Sequence, residues 1–187
     1  MQQLRGTALK RLHRSWRRQS SSRVALLLEG VQSPFNVGAI VRTAAALGVG
    51  HLYLAGACAA PSNAKAQKTA MGTDRYLQVQ TFSELQEAVK QVRSDGYRLV
   101  GLELADEALP THEVDFSGSV CIAVGNEDRG LSAECLEACD TVAYIPQLGR
   151  VGSLNVATAV AVCCYEVRRQ EWTARAEVPG AHRNSST

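Results

Sequence analysis

Apolar residues fall in short unbroken runs along the chain, and polar, helix-patterned segments separate them. RVALLLEGV (23–31), HLYLAG (51–56), YLQVQTF (76–82), YRLVGLEL (97–104), SVCIAVGN (119–126) and TVAYIP (141–146) read as strands. Between them lie helical stretches. NVGAIVRTAAALG (36–48) follows the turn QSPFN and stops at Gly48. SELQEAVKQVRSDG (83–96) carries Leu85, Val89 and Val92 at helical spacing, a capping Ser83 and a terminating Gly96. LSAECLEAC (131–139) and the uncharged run Val156 to Cys164 are further helices, and PSNAKAQKTAMGTDR (61–75) is a polar loop with room for a short one. Strands that alternate with helices and are apolar throughout belong to a parallel sheet covered by helices on both faces.

Length adds that one domain is expected from 187 residues. The expected division is a basic arm at 1–22, a folded domain at 23–172 and a polar, disordered tail at 173–187. No apolar stretch reaches the roughly 18–20 residues that span a bilayer, and no apolar segment follows the N-terminal charges as in a secretory signal. A cytoplasmic protein without a membrane partner is the simplest expectation.

Charge changes this picture more than composition does. Arg5, Lys10, Arg11, Arg14, Arg17, Arg18 and Arg23 all precede the first acid, Glu29. The remaining 13 of the 20 basic residues face all 18 acids, so a basic arm sits on an acidic body. Such an arm suits a polyanion; a solvated terminus is the competing reading. Aromatics are only 5% of the chain, which disfavours a base-stacking platform. The six cysteines form no C-x-x-C pair and the four histidines are scattered, so no metal site is expected. Most of these cysteines lie in apolar runs, as small core residues do.

In open α/β sheets ligands sit beyond the carboxyl ends of the strands. Three strand ends here run into glycines and convergent polar groups: NVGAIVRT, GNEDRGLS and QLGRVGSLN. There is no G-x-x-x-x-G-K loop, no G-x-S-x-G elbow, and no G-x-G-x-x-G between a strand and a helix. Ser153 and Asn155 stand at the mouth of the apolar helix, where side chains can cap free N–H groups or orient a neighbour.

NVGAIVRTAAALGV, IAVGNEDRGLS and YIPQLGRVGSLNVATAVAVCCYE resemble, in order, the three motifs of the SpoU branch of the SPOUT RNA methyltransferases. The resemblance covers roughly 23 to 170. It implies an α/β fold with a deep C-terminal trefoil knot, a homodimer with its active site near the subunit interface, S-adenosyl-L-methionine as cofactor, and ribose 2'-O-methylation of structured RNA. tRNA, at a guanosine, is the favoured substrate, because no separate RNA-binding domain accompanies the short arm. Ribosomal RNA and a non-catalytic RNA-binding protein that kept the fold are the alternatives. By the same resemblance Arg42 acts on the 2'-hydroxyl, as base or as charge stabiliser, with Asn36, Glu127, Ser153 and Asn155 in support. Gly125, Ile145, Gly149 and Leu154 would hold the cofactor. Arginine surrenders its proton with difficulty in proteins, so a charged Arg42 that fixes a phosphate and steadies the alkoxide is at least as plausible as a base.

Overall fold

The structure, a computed structural model, describes residues 2–20 and 23–176. Seven parallel strands form one sheet in the order β3-β2-β1-β6-β4-β7-β5. These are β1 (Val24–Glu29), β2 (His51–Ala55), β3 (Gln78–Phe82), β4 (Arg98–Leu102), β5 (Leu109–Pro110), β6 (Val120–Val124) and β7 (Thr141–Tyr144). The helices are α1 (Gly6–Arg18), α2 (Pro34–Ala46), α3 (Ala64–Ala70), α4 (Leu85–Ser94), α5 (Ala133–Ala138) and α6 (Val156–Ala176). The expected parallel, doubly covered sheet is therefore present.

Continuous apolarity has a direct cause. Successive strand residues point to opposite faces, and each face has its own core. Leu26, Leu28, Leu52, Leu54, Ile122 and Val124 pack with Ile40 and Val41 of α2 and Val160, Cys163, Cys164 and Val167 of α6. Their strand neighbours Ala25, Leu27, Tyr53, Cys121 and Ala123 pack with Leu85, Ala88 and Val92 of α4 and Cys135 of α5. Burial pushes the Cys121 and Cys163 thiols well above their ordinary range, as expected of core residues.

Two close approaches fix helix positions. A Cβ on Gly38 would collide with the Ala66 carbonyl, so α2 and α3 touch backbone to backbone. Arg168 of α6 is buried and donates from Nε to the Leu47 carbonyl and from Nη2 to the Gly48 carbonyl, both at 2.8 Å. It thereby caps the C-terminus of α2 and ties α6 across that face.

Some boundaries differ from expectation. α2 starts at Pro34, inside the expected turn, because Ser33 caps it by accepting from Asn36 N and proline suits the first helical position. Glu84, not Ser83, is the N-cap of α4, and it caps without a side-chain hydrogen bond. α6 continues to Ala176, past the expected boundary at 172; residues 177–187 of the expected tail lie outside the described residues. The strand β5 was not foreseen; its two residues pair with Ala143 and Tyr144.

Candidate active site

The sheet reverses its direction of growth between β1 and β6, the place where open sheets leave a crevice. Leu28 pairs with Val124, and Gly101 with Ala123, so the ends of β1, β6 and β4 lie side by side. Each of β1 and β4 is followed or ended by a carboxylate that serves the β6 loop. Glu29 accepts from Ser132 N at 2.9 Å, and Glu103 accepts from Leu131 N at 2.9 Å.

The β6 loop, 125–131, closes on itself. Asn126 and Gly130 exchange backbone hydrogen bonds at 3.1 and 2.9 Å. A Cβ on Gly125 would run into the Gly130 backbone, and one on Gly130 would meet the Glu103 carboxylate. Gly130 also has φ of +69°, which favours glycine. Asn126 fastens this loop to the β1 loop by donating from Nδ2 to the Gly30 carbonyl at 2.8 Å.

Glu127 joins the loops across the cleft. Its Oε1 accepts from Ser33 N at 3.0 Å and Asn36 Nδ2 at 2.9 Å, and its Oε2 accepts from Gln32 N at 3.2 Å. Asn36 Oδ1 in turn accepts from Asn155 Nδ2 at 3.0 Å. Asn155 Oδ1 accepts from Ala157 N and Thr158 N, capping α6. One chain of hydrogen bonds thus runs from the β6 loop through the start of α2 to the start of α6. Burial pushes the Glu127 carboxyl up, but the bonds from Asn36, Ser33 and Gln32 outweigh it and hold the group below its ordinary value of 4.5.

Beside this chain lies a cleft of about 490 Å³ whose lining includes Gly125, Glu127, Ile145, Ser153, Leu154 and Asn155. Six of the nine site residues expected from the sequence therefore line one cavity, and Asn36 is bonded to two of them. Arg42 and Gly149 are outside the lining. Arg42 stands exposed on α2 with Nη1 3.0 Å from the Met71 sulfur, and a Cβ on Gly149 would meet open space.

Three lining residues went unnoticed in the sequence. Glu103 and Leu104 follow β4, and Gln147 lies beyond the end of β7. The signal for Glu103 was a carboxylate at the end of an apolar strand, as at Glu29. Gln147 Oε1 is buried with no hydrogen-bond partner. A buried acceptor left unpaired costs about 1–3 kcal/mol, so this site asks for a donor that the protein does not supply. A cleft of this volume falls in the usual range of roughly 300–1,000 Å³ for small-molecule sites, and Ile145 and Leu154 give it apolar walls. Among the described residues no three His, Cys, Asp or Glu side chains could hold a metal ion.

Comparison with known proteins places the chain in a family. The tRNA (guanosine(18)-2'-O)-methyltransferase of Escherichia coli is 35% identical over 152 residues, 81% of this chain and 65% of that protein. A 23S rRNA (guanosine-2'-O-)-methyltransferase of Acinetobacter baylyi is 35% identical over 146 residues, 78% of this chain and 59% of that one. The chain thus spans less than two thirds of these relatives. The crystal structure of the SpoU methyltransferase AviRb from Streptomyces viridochromogenes, in complex with AdoMet, superposes with a TM-score of 0.76 at 30% identity, covering 82% of this chain and 62% of that one. Residues 23–165, which hold all three strand-end loops and the whole cleft, match the SpoU rRNA Methylase family, and the chain belongs to that family.

Proposed function

We propose that this chain is an S-adenosyl-L-methionine-dependent RNA ribose 2'-O-methyltransferase, acting as a homodimer in the cytoplasm on tRNA, with guanosine as the favoured target. The observation that carries the reading is the Glu127–Asn36–Asn155 chain of hydrogen bonds beside the cleft. The E. coli relative is named for tRNA and the A. baylyi relative for 23S rRNA at equal identity, so ribosomal RNA is the second reading.

When bound, the cofactor would supply an electrophilic methyl group on a sulfonium. Gly125, Ile145 and Leu154 would hold and flank it, and the unpartnered Gln147 Oε1 would be an acceptor for its adenine amine. Asn36 and Asn155 are immobilised by their shared hydrogen bond, so the start of α2 and the start of α6 keep a fixed distance during the reaction. Pre-set geometry of this kind lowers the barrier because no reorganisation is needed at the moment of transfer. Among the described residues Arg42 has no acidic partner, only the Met71 sulfur at 3.0 Å, so its guanidinium would take an RNA phosphate and steady the developing alkoxide. Ser153 lines the same cleft and would support the acceptor.

The dimer has a physical motive. α6 buries Ala157, Val160, Cys163, Cys164 and Val167 against the sheet but leaves Val162 and Tyr165 about half exposed. A second copy that covers this outer face would bury apolar surface.

The reading is tested by incubating the protein with methyl-labelled cofactor and either total tRNA or ribosomal subunits, then mapping ribose methylation. Label in tRNA at one ribose is expected. Label only in ribosomal RNA overturns the choice of substrate, and label in neither overturns the enzyme.

A further inference from the structure

α1 is a two-faced helix. Lys10, Arg11, Arg14, Arg17 and Arg18 fall within one arc of its surface, while Leu9, Leu12 and Trp16 recur at helical spacing on the other. Nothing in α1 is buried, yet it is not loose. Trp16 packs on Trp172 of α6 with ring centroids 5.0 Å apart, and Tyr165 meets the same ring edge-on at 5.8 Å. Arg175 donates to the Arg18 carbonyl at 3.3 Å. Docking through Trp16 turns the basic arc away from the body.

These charges have no local duty. Among the described residues none of the five is paired with an acid. The acids nearest the anchor are taken: Glu166 accepts from Arg169 and Gln170, and Glu171 pairs with Arg168. Trp172 lies sixteen residues beyond the start of α6, and that start forms one wall of the cleft. At about 1.5 Å per residue the anchor stands about 24 Å along a straight helix from the site.

We propose that α1 is a second RNA grip, set by α6 at a fixed distance from the cleft, that binds the phosphates of a duplex stem rather than any base. This deepens the RNA-modifying reading above and rests on it. An RNA stem is A-form and rises less per base pair than the roughly 3.4 Å of B-form DNA, so about 24 Å is about eight or nine base pairs. A substrate must therefore continue as a stem at least that far from the methylated ribose. A duplex is the fitting form because α1 offers cations in register but no free aromatic face on which to stack a single strand; its one tryptophan is engaged with Trp172. Phosphate contacts orient a substrate without reading its sequence.

The test uses the full chain and two fluorescent RNAs, a hairpin with a stem of about 20 base pairs and a single strand of about eight nucleotides. In one variant all five charges become glutamine (K10Q, R11Q, R14Q, R17Q, R18Q). In another, Trp16→Ala keeps the charges and removes the anchor. The glutamine variant is expected to bind the hairpin on the order of 10- to 100-fold more weakly at low salt, and its slope of log affinity against log salt should flatten by roughly three to four. Trp16→Ala should weaken hairpin binding several-fold and leave the slope unchanged, since charge is conserved and only its placement is lost. Binding of the short strand should be the same for all three proteins. An unchanged slope in the glutamine variant overturns the proposal, as does equal loss on both RNAs. Binding of wild type to anionic phosphatidylserine vesicles in preference to the hairpin overturns it in favour of a membrane surface. S-adenosylhomocysteine titrated into each variant separates the two readings: it should bind all three alike, and failure to bind any of them faults the methyltransferase assignment but not the grip.

Discussion

The two edges of the sheet treat polar groups in opposite ways. At the amino edge the side chains of His51, Tyr97, Tyr53 and Asp95 are partnered within the protein. His51 Nδ1 meets the Tyr97 hydroxyl at 2.8 Å and Nε2 meets Gln78 Oε1 at 2.7 Å. Tyr53 donates to Asp95 at 2.5 Å, Gln91 donates to the same carboxylate at 2.9 Å, and Arg23 lies over the Tyr97 ring at 4.5 Å. At the carboxyl edge the loops are bonded just as firmly to each other, but Gln147 Oε1 has no partner and Arg42 rests only on a methionine sulfur. A network that satisfies itself serves the fold; one that leaves donors and acceptors unspent is built for something that arrives. Substitutions at the two edges should separate stability from activity.

The largest effect is expected at Arg42. Arg42→Ala should lower methylation roughly 100- to 1,000-fold, the usual cost of removing a group that steadies developing charge. Its affinity for cofactor should stay within about twofold of wild type, since Arg42 does not line the cleft. Single-turnover rates and calorimetry check both parts.

Next comes Glu127. Glu127→Ala removes three hydrogen bonds that join the β6 loop to the start of α2. A loss of about 1 kcal/mol is expected, because the freed donors are exposed and water can re-pair them; it should appear as a lower Tm together with weaker cofactor binding. The same carboxyl predicts pH behaviour. Its value in the folded protein is depressed below the ordinary 4.5, so its contribution to stability is complete above that ordinary value. That contribution is lost as pH falls through the depressed folded value. Thermal melts with and without S-adenosylhomocysteine should keep a constant separation from neutral pH down to about 5 and converge only in more acid solution.

Gln147→Leu should act more narrowly. If Oε1 accepts from the adenine amine, the variant should lose about tenfold in cofactor affinity. Wild type should prefer S-adenosylhomocysteine to its inosyl analogue, and the variant should not.

The smallest effect on activity is expected at the amino edge. Tyr53→Phe should cost about 1 kcal/mol of stability, because Asp95 loses a partner. That hydroxyl is first among the groups holding the Asp95 carboxyl below its ordinary range, so the variant should also narrow the gap between acid and neutral melting temperatures. Rate and cofactor affinity should not change.

Much of the sheet was legible because both its faces are buried. Five of the seven strands are the apolar runs themselves, and β3, which alternates, was still recognisable from its β-branched and aromatic residues. The two-residue β5 was not, because Leu109–Pro110 has no periodicity to read and exists only through pairing with β7. Ser83 failed as a cap because two polar residues, Ser83 and Glu84, precede Leu85 and sequence does not choose between them. The site was legible only in part. Loops at strand ends point to a crevice on physical grounds, but the bonds that make it, Asn36 to Glu127 and Asn155 to Asn36, join residues 91 and 119 apart. No local pattern encodes such pairs; the resemblance of three ordered motifs did. Gln147 lay inside one of those motifs and was overlooked because a glutamine in a loop is ordinarily solvated. Its importance shows only once its oxygen is found buried and alone.

The account turns on whether the carboxyl-edge cleft holds the cofactor. Calorimetric titration of the full chain with S-adenosyl-L-methionine, beside Leu154→Asp in the cleft wall and Tyr53→Phe at the opposite edge, tests this directly. Saturable binding at one cofactor per chain is expected, unchanged in Tyr53→Phe and lost in a Leu154→Asp protein that still melts cooperatively. Absence of binding by folded wild type, or equal binding by all three proteins, would contradict it.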